Sequence, residues 1–475
     1  MELKEYEDLT QALLQKKGPL QDSQKVHLMN HLGKDYSWKL VVTYDETRAR
    51  EIYEDYGNYT KQVWLYPAKD LLFYAADIHG NLIAKQRIQV IKALMEENGG
   101  VVVTTLDGLM DHLLPLKQLE EQIVWVECGQ QLDLGKFKDQ LVRMGYERTP
   151  QVDAMGQFSI RGGIVDVFPL TEEFPLRIEL WDDEVDSIRS FDLESQRSIE
   201  QLESVRIYPA VEAVLTEEQI QEGIQRLREE SAASQEIFRK NGKIEEGHRI
   251  FSLIQEFTEG LEEGWQAGNL DAYLNYFCSE TVSFIEYFPE GALFFLDEPL
   301  RLQEKGEAVE TEFRESMSQR LEKGYLLGGQ RDLLDSAKMV LAKLQKNRTL
   351  YLTGLDQRLP GFTVNHKFAF AVKNVNSYQN SFDLLIKDLT TWKKEGYRVV
   401  LLTASRTRAG RLAGDLRDYD LRAYSIDGEE EEESLASQAE ARVLPGQILV
   451  AYGNLHRGFE YPMLKLVVIT EGDMF

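Results

Sequence analysis

A run of alternating residues between Gly145 and Asp192 constrains the fold more than any other part of the chain. Its most regular segment alternates apolar positions with polar or aromatic ones in the order Leu176, Arg177, Ile178, Glu179, Leu180 and Trp181. Because successive side chains of a strand point to opposite faces, this pattern predicts a strand with one apolar and one polar face. Pro169 and the Gly162-Gly163 pair interrupt the run. The stretch therefore predicts a small β-rich region of short strands.

The polar face of this predicted sheet is the first candidate for function. Arg177 and Trp181 share the face opposite the aliphatic residues. Arginine beside a large aromatic residue is the composition of an energetic hot spot in protein interfaces. The alternative is that a helix covers this face and that Trp181 belongs to the core. Periodicity alone leaves both readings open.

Charge and cysteine content limit the classes of function. The chain has 54 basic and 80 acidic residues, a net charge of −26, and the stretch 123–208 alone has nine basic and 17 acidic residues. This balance disfavours a general polyanion-binding surface, which requires clustered Lys and Arg. The two cysteines, Cys128 and Cys278, have neither metal-ligand spacing nor disulfide density, which is typical of a reducing cytoplasm. With no secretory signal and no long apolar run, we expect a cytoplasmic chain that does not contact the membrane.

Helices alternate with short buried strands in the rest of the chain, which predicts parallel sheets with helical crossovers. Strands are predicted at 39–43, 63–66, 100–105 and 292–299, and helices at 1–35, 46–56, 86–95 and 304–344. A second α/β unit is predicted with strands at 349–353, 398–403, 447–451 and 465–470. Five consecutive glutamates at 429–433 indicate a solvated loop.

The residues that nucleotide hydrolysis requires are incomplete. A phosphate loop needs the pattern G-x-x-x-x-G-K-[ST], whose backbone N–H groups surround the phosphates. The segment from Gly18 to Lys25 has the position of such a loop but lacks the second glycine, and Leu293 to Glu298 has the form of the acidic strand that would face it. We interpret that strand as a relic that maintains the sheet core. The sequence indicates no catalytic nucleophile, acid/base pair, cofactor-binding residue or metal ligand set.

Several longer motifs carry a family resemblance. The patterns R-G-x-x-x-D-x-F-P from Arg161, L-R-I-E-L-W-D-D-E-V-D-S-I-R-x-F-D from Leu176, and V-R-I-Y-P-A from Val205 resemble the module that the excinuclease protein UvrB shares with transcription-repair coupling factor. The resemblance implies an α/β fold of two RecA-like doubly wound units without a phosphate loop, and an inserted small β-rich α+β domain. The implied boundaries are 1–122 with 209–344 for domain 1a, 123–208 for the inserted domain 2, and 345–475 for domain 1b.

The same resemblance implies an adaptor that recruits the excinuclease protein UvrA by mimicking UvrB. Carried over residue by residue, the binding residues are Arg161, Arg177 and Trp181, with Arg148 as a further arginine. In this family ATP, Mg²⁺, RNA polymerase and double-stranded DNA are bound by C-terminal parts beyond 475. We therefore expect a fragment of a longer protein without cofactor or enzymatic activity of its own.

Three other interpretations remain open at the sequence level. The chain could be a DNA-loading protein like UvrB, or a component of a nucleotide-dependent helicase. The short span 66–81, with Phe73 and Tyr74 as its only aromatics after Tyr66, disfavours a DNA-stacking clamp. A degenerate α/β scaffold without a partner is the third interpretation.

Overall fold

The computed structural model of the chain describes residues 22–69, 80–263, 270–355, 357–368, 372–379, 381–425 and 443–475. Phe73 and Tyr74, the acidic run at 429–433 and the first 21 residues of the expected N-terminal helix lie outside these ranges. The first part of the chain forms α1 (Asp22–Leu32), β1 (Trp38–Thr43), α2 (Glu46–Tyr56), β2 (Val63–Tyr66), α3 (Gly80–Glu96), β3 (Gly100–Thr105) and α4 (Leu116–Glu120).

The central part forms one helix and eight strands: β4 (Val124–Glu127), α5 (Leu134–Arg143), β5 (Glu147–Arg148), β6 (Gln157–Arg161), β7 (Ile164–Val167), β8 (Leu176–Trp181), β9 (Glu184–Phe191), β10 (Ser198–Leu202) and β11 (Ser204–Ile207). It is followed by α6 (Glu217–Lys240), α7 (Ile244–Glu262), α8 (Leu274–Phe277), β12 (Leu293–Asp297), α9 (Pro299–Glu322), α10 (Ala337–Gln345) and β13 (Arg348–Leu352).

The last part forms β14 (Lys373–Asn374), α11 (Phe382–Glu395), β15 (Arg398–Thr403), α12 (Arg406–Arg417), β16 (Ala423–Ser425), β17 (Ile448–Tyr452), β18 (Phe459–Tyr461), β19 (Leu466–Ile469) and α13 (Glu471–Met474). Single turns of 3₁₀ helix lie at Asp107–Leu109, Leu270–Tyr273, Phe284–Tyr287 and Gly328–Asp332. The last of these turns separates α9 from α10, so the helical stretch expected at 304–344 is two helices.

The first sheet is entirely parallel, in the order β13-β12-β1-β3-β2. Its strand β3 is buried on both faces, as its run of β-branched residues predicts. A side-chain cap starts the helix that follows β1, where Asp45 accepts a hydrogen bond from the Arg48 backbone N–H at 2.7 Å. The predicted α/β class with a parallel sheet is therefore confirmed.

One strand belongs to a different sheet from the one predicted. The sequence predicts that the second α/β unit begins with the strand at 349–353, but β13 pairs in parallel with β12 and forms the edge of the first sheet. That part of the prediction is wrong. The boundary expected after Leu344 therefore precedes a strand of the first sheet. An apolar strand in sequence does not reveal which sheet it joins, since its pairing partner is set by tertiary packing.

The sheet of the last part is mixed, in the order β14-β18-β19-β15-β17-β16. Four neighbouring strands, β19, β15, β17 and β16, are parallel. β18 and β14 add to this sheet in antiparallel pairing. A short turn with Lys465 in the left-handed region, at φ 49°, connects β18 to β19 and makes the antiparallel return possible.

The central part is attached to the first unit through one antiparallel strand pair. The chain leaves the first unit through β4 and returns through β11, and these two strands pair with each other. Between them, β5 to β10 form a six-stranded sheet in the order β10-β9-β8-β7-β6-β5. Phe137 and Leu141 of α5 belong to the same buried cluster as the apolar side of this sheet and the core of the first unit. The inserted domain therefore has a continuous core with its host.

A buried arginine holds the returning chain in place. The Arg87 side chain, which is fully buried in α3, donates at 2.5 Å to both Asp111 and Glu212. Glu212 follows β11 by five residues. Burial would raise the pKa of Glu212, but the adjacent Arg87 and Lys69 hold it at about 2. This ion pair fixes the point at which the inserted domain rejoins the first unit.

Side chains of the last part contact the first unit at the end of α2. Asp55, which is fully buried, accepts hydrogen bonds at 2.9 Å from both the backbone N–H and Nδ1 of His456, and Glu54 lies 3.3 Å from Nε2. Asn58 forms two further hydrogen bonds with the backbone of Asn454. The hydrogen bond to Asp55 raises the pKa of His456 above its ordinary value.

We predict that this contact weakens with rising pH. A histidine with a raised pKa in the folded state stabilises that state fully below its unfolded pKa of about 6.5, and the stabilisation is lost as pH rises through the folded pKa. His456→Gln should remove about 1 kcal/mol of stability at pH 6 and almost none at pH 9. Urea denaturation of both proteins at the two pH values measures this, and an equal difference at both pH values would contradict it.

Candidate partner-binding surface

The six-stranded sheet of the inserted domain has one solvent-accessible face, here called the outer face. Phe158, Val165 and Ile178 point to the buried core. The alternate positions point the other way and constitute the outer face, which consists of Arg161, Ile164, Asp166, Arg177, Glu179, Trp181, Ser187 and Arg189. The alternation in the sequence therefore predicts the two faces correctly.

A buried carboxylate lies under the two predicted arginines. Asp166 is 2% exposed and accepts three hydrogen bonds from guanidinium groups. Arg177 donates from Nε to Oδ1 at 2.6 Å and from Nη2 to Oδ2 at 2.9 Å. Arg161 donates from Nη2 to the same Oδ2 at 2.6 Å. Both arginines are therefore held by one anion, in the charge-assisted geometry that is strongest for guanidinium groups.

Two further residues fix the Arg177 guanidinium. Its Nη2 also donates to Oε1 of Gln196 at 2.9 Å, and its Cζ lies 4.4 Å from the ring centroid of Phe191. The hydrogen bond to Asp166 raises the pKa of Arg177 above its ordinary value, so the group carries its charge at any accessible pH. The arginine, whose side chain is 13% exposed, therefore has one fixed orientation.

A second ion pair lies beside the first on the outer face. Arg189 donates to Oε1 of Glu179 at 2.5 Å, and the Ser187 hydroxyl donates to the other carboxylate oxygen at 3.1 Å. Arg189 is also the cross-strand neighbour of Arg177. Like charges directly opposite each other repel, and the paired carboxylates Asp166 and Glu179 offset this repulsion.

Trp181 lies at the end of β8 and is 81% exposed. The alternative interpretation, in which this face is covered and Trp181 is core, is therefore wrong. Asp182 in the following turn adopts φ 59°, and the register of β8 and β9 shifts just before Leu180. Such an irregularity changes the direction of the strand and of its side chains. An indole this exposed is unusual in a residue type that is mostly buried.

Arg148 is exposed but is not brought together with the other three residues. It lies in the edge strand β5, which is only two residues long, and is in parallel register with the core residue Phe158. Neighbouring residues in register point to the same side of a sheet, so Arg148 is on the side opposite Arg161. Its role in binding stays a prediction.

The sequence interpretation missed the residues that hold the arginines. Asp166, Gln196 and Phe191 carry no binding signal of their own in a single sequence. Asp166 is nevertheless the acidic position of the R-G-x-x-x-D motif. The strand alternation also places it on the face of Arg177, so charge pairing across the hairpin is the signal that the sequence offers.

The position at which a phosphate loop would face the acidic strand contains an internal ion-pair cluster. The Lys25 amine is 2.6 Å from both Asp297 and Glu298, and its side chain is 2% exposed. Asp297 also accepts hydrogen bonds from Thr43 at 3.0 Å and from Arg48 at 3.4 Å. Burial alone would lower the pKa of Lys25, but the two carboxylates raise it. Gly18, the other end of the segment that has the position of a phosphate loop, lies outside the described residues.

The described part of the chain offers neither a metal-ligand cluster nor a membrane span. It contains no group of three or more His, Cys, Asp or Glu residues arranged to bind a metal ion. Among the same residues, no helix has both the length and the apolar character needed to cross a lipid bilayer.

Comparison with known proteins identifies the domain that carries the outer face. Residues 124–212 match the UvrB interaction domain. The whole chain is similar to transcription-repair-coupling factors, with 31% identity over 437 residues to that of Bacillus subtilis and 29% over 444 residues to that of Staphylococcus aureus. The matched stretches cover 92% of this chain and 36% of each relative. The family resemblance carried by the motifs is therefore confirmed, and the chain spans about a third of the length of these relatives.

We predict that Trp181 does not stabilise the fold. Trp181→Ala should change the free energy of unfolding by less than about 0.5 kcal/mol, because the side chain is exposed. Phe158→Ala, which removes a fully buried ring from the other face of the sheet, should cost about 3 kcal/mol or more. Chemical denaturation measures both values. A large cost for Trp181→Ala would mean that the indole packs within the protein.

Proposed function

We propose that this part of the chain is an adaptor of transcription-coupled DNA repair that recruits UvrA. The observation that carries the proposal is the outer face itself, an exposed tryptophan beside two arginines fixed by a buried carboxylate. This face lies in a domain that matches the UvrB interaction domain. The same surface on two proteins would allow one to replace the other on a shared partner, which is recruitment by mimicry.

The side chains of the outer face indicate which chemical groups the partner surface should have. Tryptophan and arginine are among the residues that most often dominate binding energy in protein interfaces, and Trp181 has most of its surface available for burial. Arg161 uses only Nη2 on Asp166 and its side chain is 48% exposed, so its remaining donors can bind a carboxylate of the partner. The partner surface should therefore combine an apolar pocket with acidic groups.

The charges of the outer face also specify an orientation. Arg177 and Asp166 lie in one row of the face, and Arg161 lies in the next row, opposite Ile164 and Glu179 and nearer to the turn after Trp181. This turn carries the exposed acidic residues Asp182, Asp183 and Glu184. Positive and negative groups at separate positions of one interface favour a partner with complementary charges at those positions and disfavour other orientations. We infer that the partner has acidic groups opposite Arg161 and basic groups opposite this turn.

We predict that single truncations on the outer face weaken capture of UvrA. Arg161→Ala, Arg177→Ala and Trp181→Ala should each cost about 2 kcal/mol of binding free energy, roughly 30-fold in Kd. Isothermal titration of the purified proteins measures the loss. Arg143→Ala is the matched control, because Arg143 is an exposed arginine in α5 rather than on the outer face. If all four variants bind as tightly as the wild type, the proposed function is wrong.

We further propose that the two α/β units are RecA-like and that this part of the chain neither binds nor hydrolyses nucleotide. In phosphate-loop enzymes the lysine binds nucleotide phosphates and the acidic strand binds their Mg²⁺. The direct ion pairs of Lys25 with Asp297 and Glu298 support the proposal, since they satisfy both charges without a ligand. RNA polymerase, double-stranded DNA and ATP would be bound by other parts of the longer protein.

We predict that Lys25 has a structural role. Lys25→Met should lower the free energy of unfolding by about 3 kcal/mol, because it leaves Glu298 without its cation and the fully buried Asp297 with only the longer contact to Arg48 at 3.4 Å. Titration of the wild-type chain with ATP and Mg²⁺ should show no binding at millimolar nucleotide. Saturable ATP binding that Lys25→Met abolishes would contradict the structural role and favour a nucleotide-dependent component.

A further inference from the structure

The carboxylate of Asp166 is an unexpected component of a surface that binds acidic groups. Its two oxygens face Arg161 and Arg177, the residues to which the partner's carboxylates would bind. It is 2% exposed, so it lies beneath the guanidinium groups and out of reach of a partner. A negative charge at this place lowers the attraction for an acidic partner, and its presence therefore needs a separate explanation.

The hydrogen-bond geometry of Asp166 explains why a carboxylate lies beneath the two arginines. Arginine side chains have large rotamer entropy, and an interface must restrict it when it forms. Arg177 uses both Nε and Nη2 on Asp166, which fixes the plane of its guanidinium group. Arg161 donates to the same Oδ2 that accepts from Arg177. A single carboxylate therefore sets the orientation of both arginines and their spacing, and it also offsets the repulsion between them.

Two supporting contacts show that the arrangement is specific. Gln196 accepts a hydrogen bond from Arg177 and adopts φ 56°, a left-handed conformation that is unfavourable for this residue type. The ring of Phe191 also lies against the guanidinium group. Arg177 is thus held by three residues, while its Nη1 has no hydrogen bond to any described residue and remains for a partner.

We propose that Asp166 is the positioning residue of the outer face. It orders Arg161 and Arg177 before the partner arrives and does not itself touch the partner. This inference rests on the proposed function, because it concerns the same surface. The ordering lowers the entropic cost of binding and fixes where the partner's acidic groups must lie, which adds selectivity to attraction.

The direction in which one substitution changes the binding affinity distinguishes a positioning role from a simple effect of charge. Asp166→Asn removes a negative charge, so charge alone predicts tighter binding to an acidic partner. Loss of positioning predicts the opposite, because Asn has one acceptor oxygen instead of two and its NH₂ group would face a guanidinium donor, so the three hydrogen bonds cannot all form. We expect Asp166→Asn to weaken binding of UvrA by roughly tenfold in a titration with the whole 475-residue chain.

The matched control is Asp186→Asn. Asp186 is an exposed residue of β9, in the same domain, and it has no hydrogen bond to either arginine. This variant has the same change in charge and should bind as tightly as the wild type or slightly more tightly. Equal affinities for the two variants would overturn the positioning role of Asp166 and leave the proposed function intact, provided that Arg161→Ala and Arg177→Ala still weaken binding.

A second experiment distinguishes the positioning role of Asp166 from a role in stability alone. In a chain that already carries Arg161→Ala and Arg177→Ala, Asp166→Asn should have no further effect on affinity, because it acts only through those residues. An undiminished loss in this background would overturn the proposal. The Nε–H resonance of Arg177 in ¹⁵N NMR spectra should be resolved and slow to exchange in the wild type, and it should exchange fast in Asp166→Asn.

A charge-neutral variant tests the proposal if Asp166→Asn folds poorly. Gln196→Asn shortens the side chain that supports Arg177 and places a residue that tolerates the left-handed conformation at this position. We expect roughly a two- to threefold loss of affinity with an unchanged melting temperature. Wild-type affinity for this variant would contradict the claim that the fixed orientation of Arg177 contributes to binding. If Arg161→Ala and Arg177→Ala also bind normally, the proposed function fails together with this inference.

Discussion

The alternation of side chains along a β-strand is the constraint on which the outer face depends. One set of alternate residues in β6 to β9 joins the core, so the other set must face away from it. An edge or a loop could present the same residues, but only with greater conformational freedom. A sheet whose other face is buried holds its outward residues in fixed register, and the hydrogen bonds between strands determine the distance between Arg161, Asp166 and Arg177.

Three of the buried ion pairs in the described residues have different consequences. Lys25 with Asp297 and Arg87 with Glu212 are sealed inside the first unit, where they fix the packing of segments that are far apart in sequence. Asp166 is buried too, but of its two cations Arg161 is 48% exposed and Arg177 is 13% exposed. A buried ion pair rarely adds much net stability, so its value is mostly in specifying one arrangement. In the first unit this specificity serves the fold, and on the outer face the proposed function assigns it to recognition.

The sequence predicts local structure better than it predicts pairing. Helix 46–56 and the strands at 63–66, 100–105 and 398–403 have the predicted bounds, because apolar periodicity and a side-chain cap determine them locally. The predicted placement of β13 is wrong because the apolar sequence of a strand does not indicate which sheet it joins. The family resemblance groups Arg148 with the other arginines. In the structure Arg148 is in parallel register with the core residue Phe158, so it lies on the side of the sheet opposite the outer face. The pairing of Lys25 with Asp297 links residues separated by 272 positions, which no local pattern can indicate.

The central claim is that UvrA covers the outer face of the inserted domain. Hydroxyl-radical footprinting at Trp181 tests this most directly, because an exposed indole is oxidised rapidly and a buried one is not. We predict that saturating UvrA strongly slows oxidation of Trp181, while Trp125, an exposed tryptophan of β4 outside the outer face, is oxidised at its original rate. Unchanged oxidation of Trp181 in the saturated complex would contradict this claim.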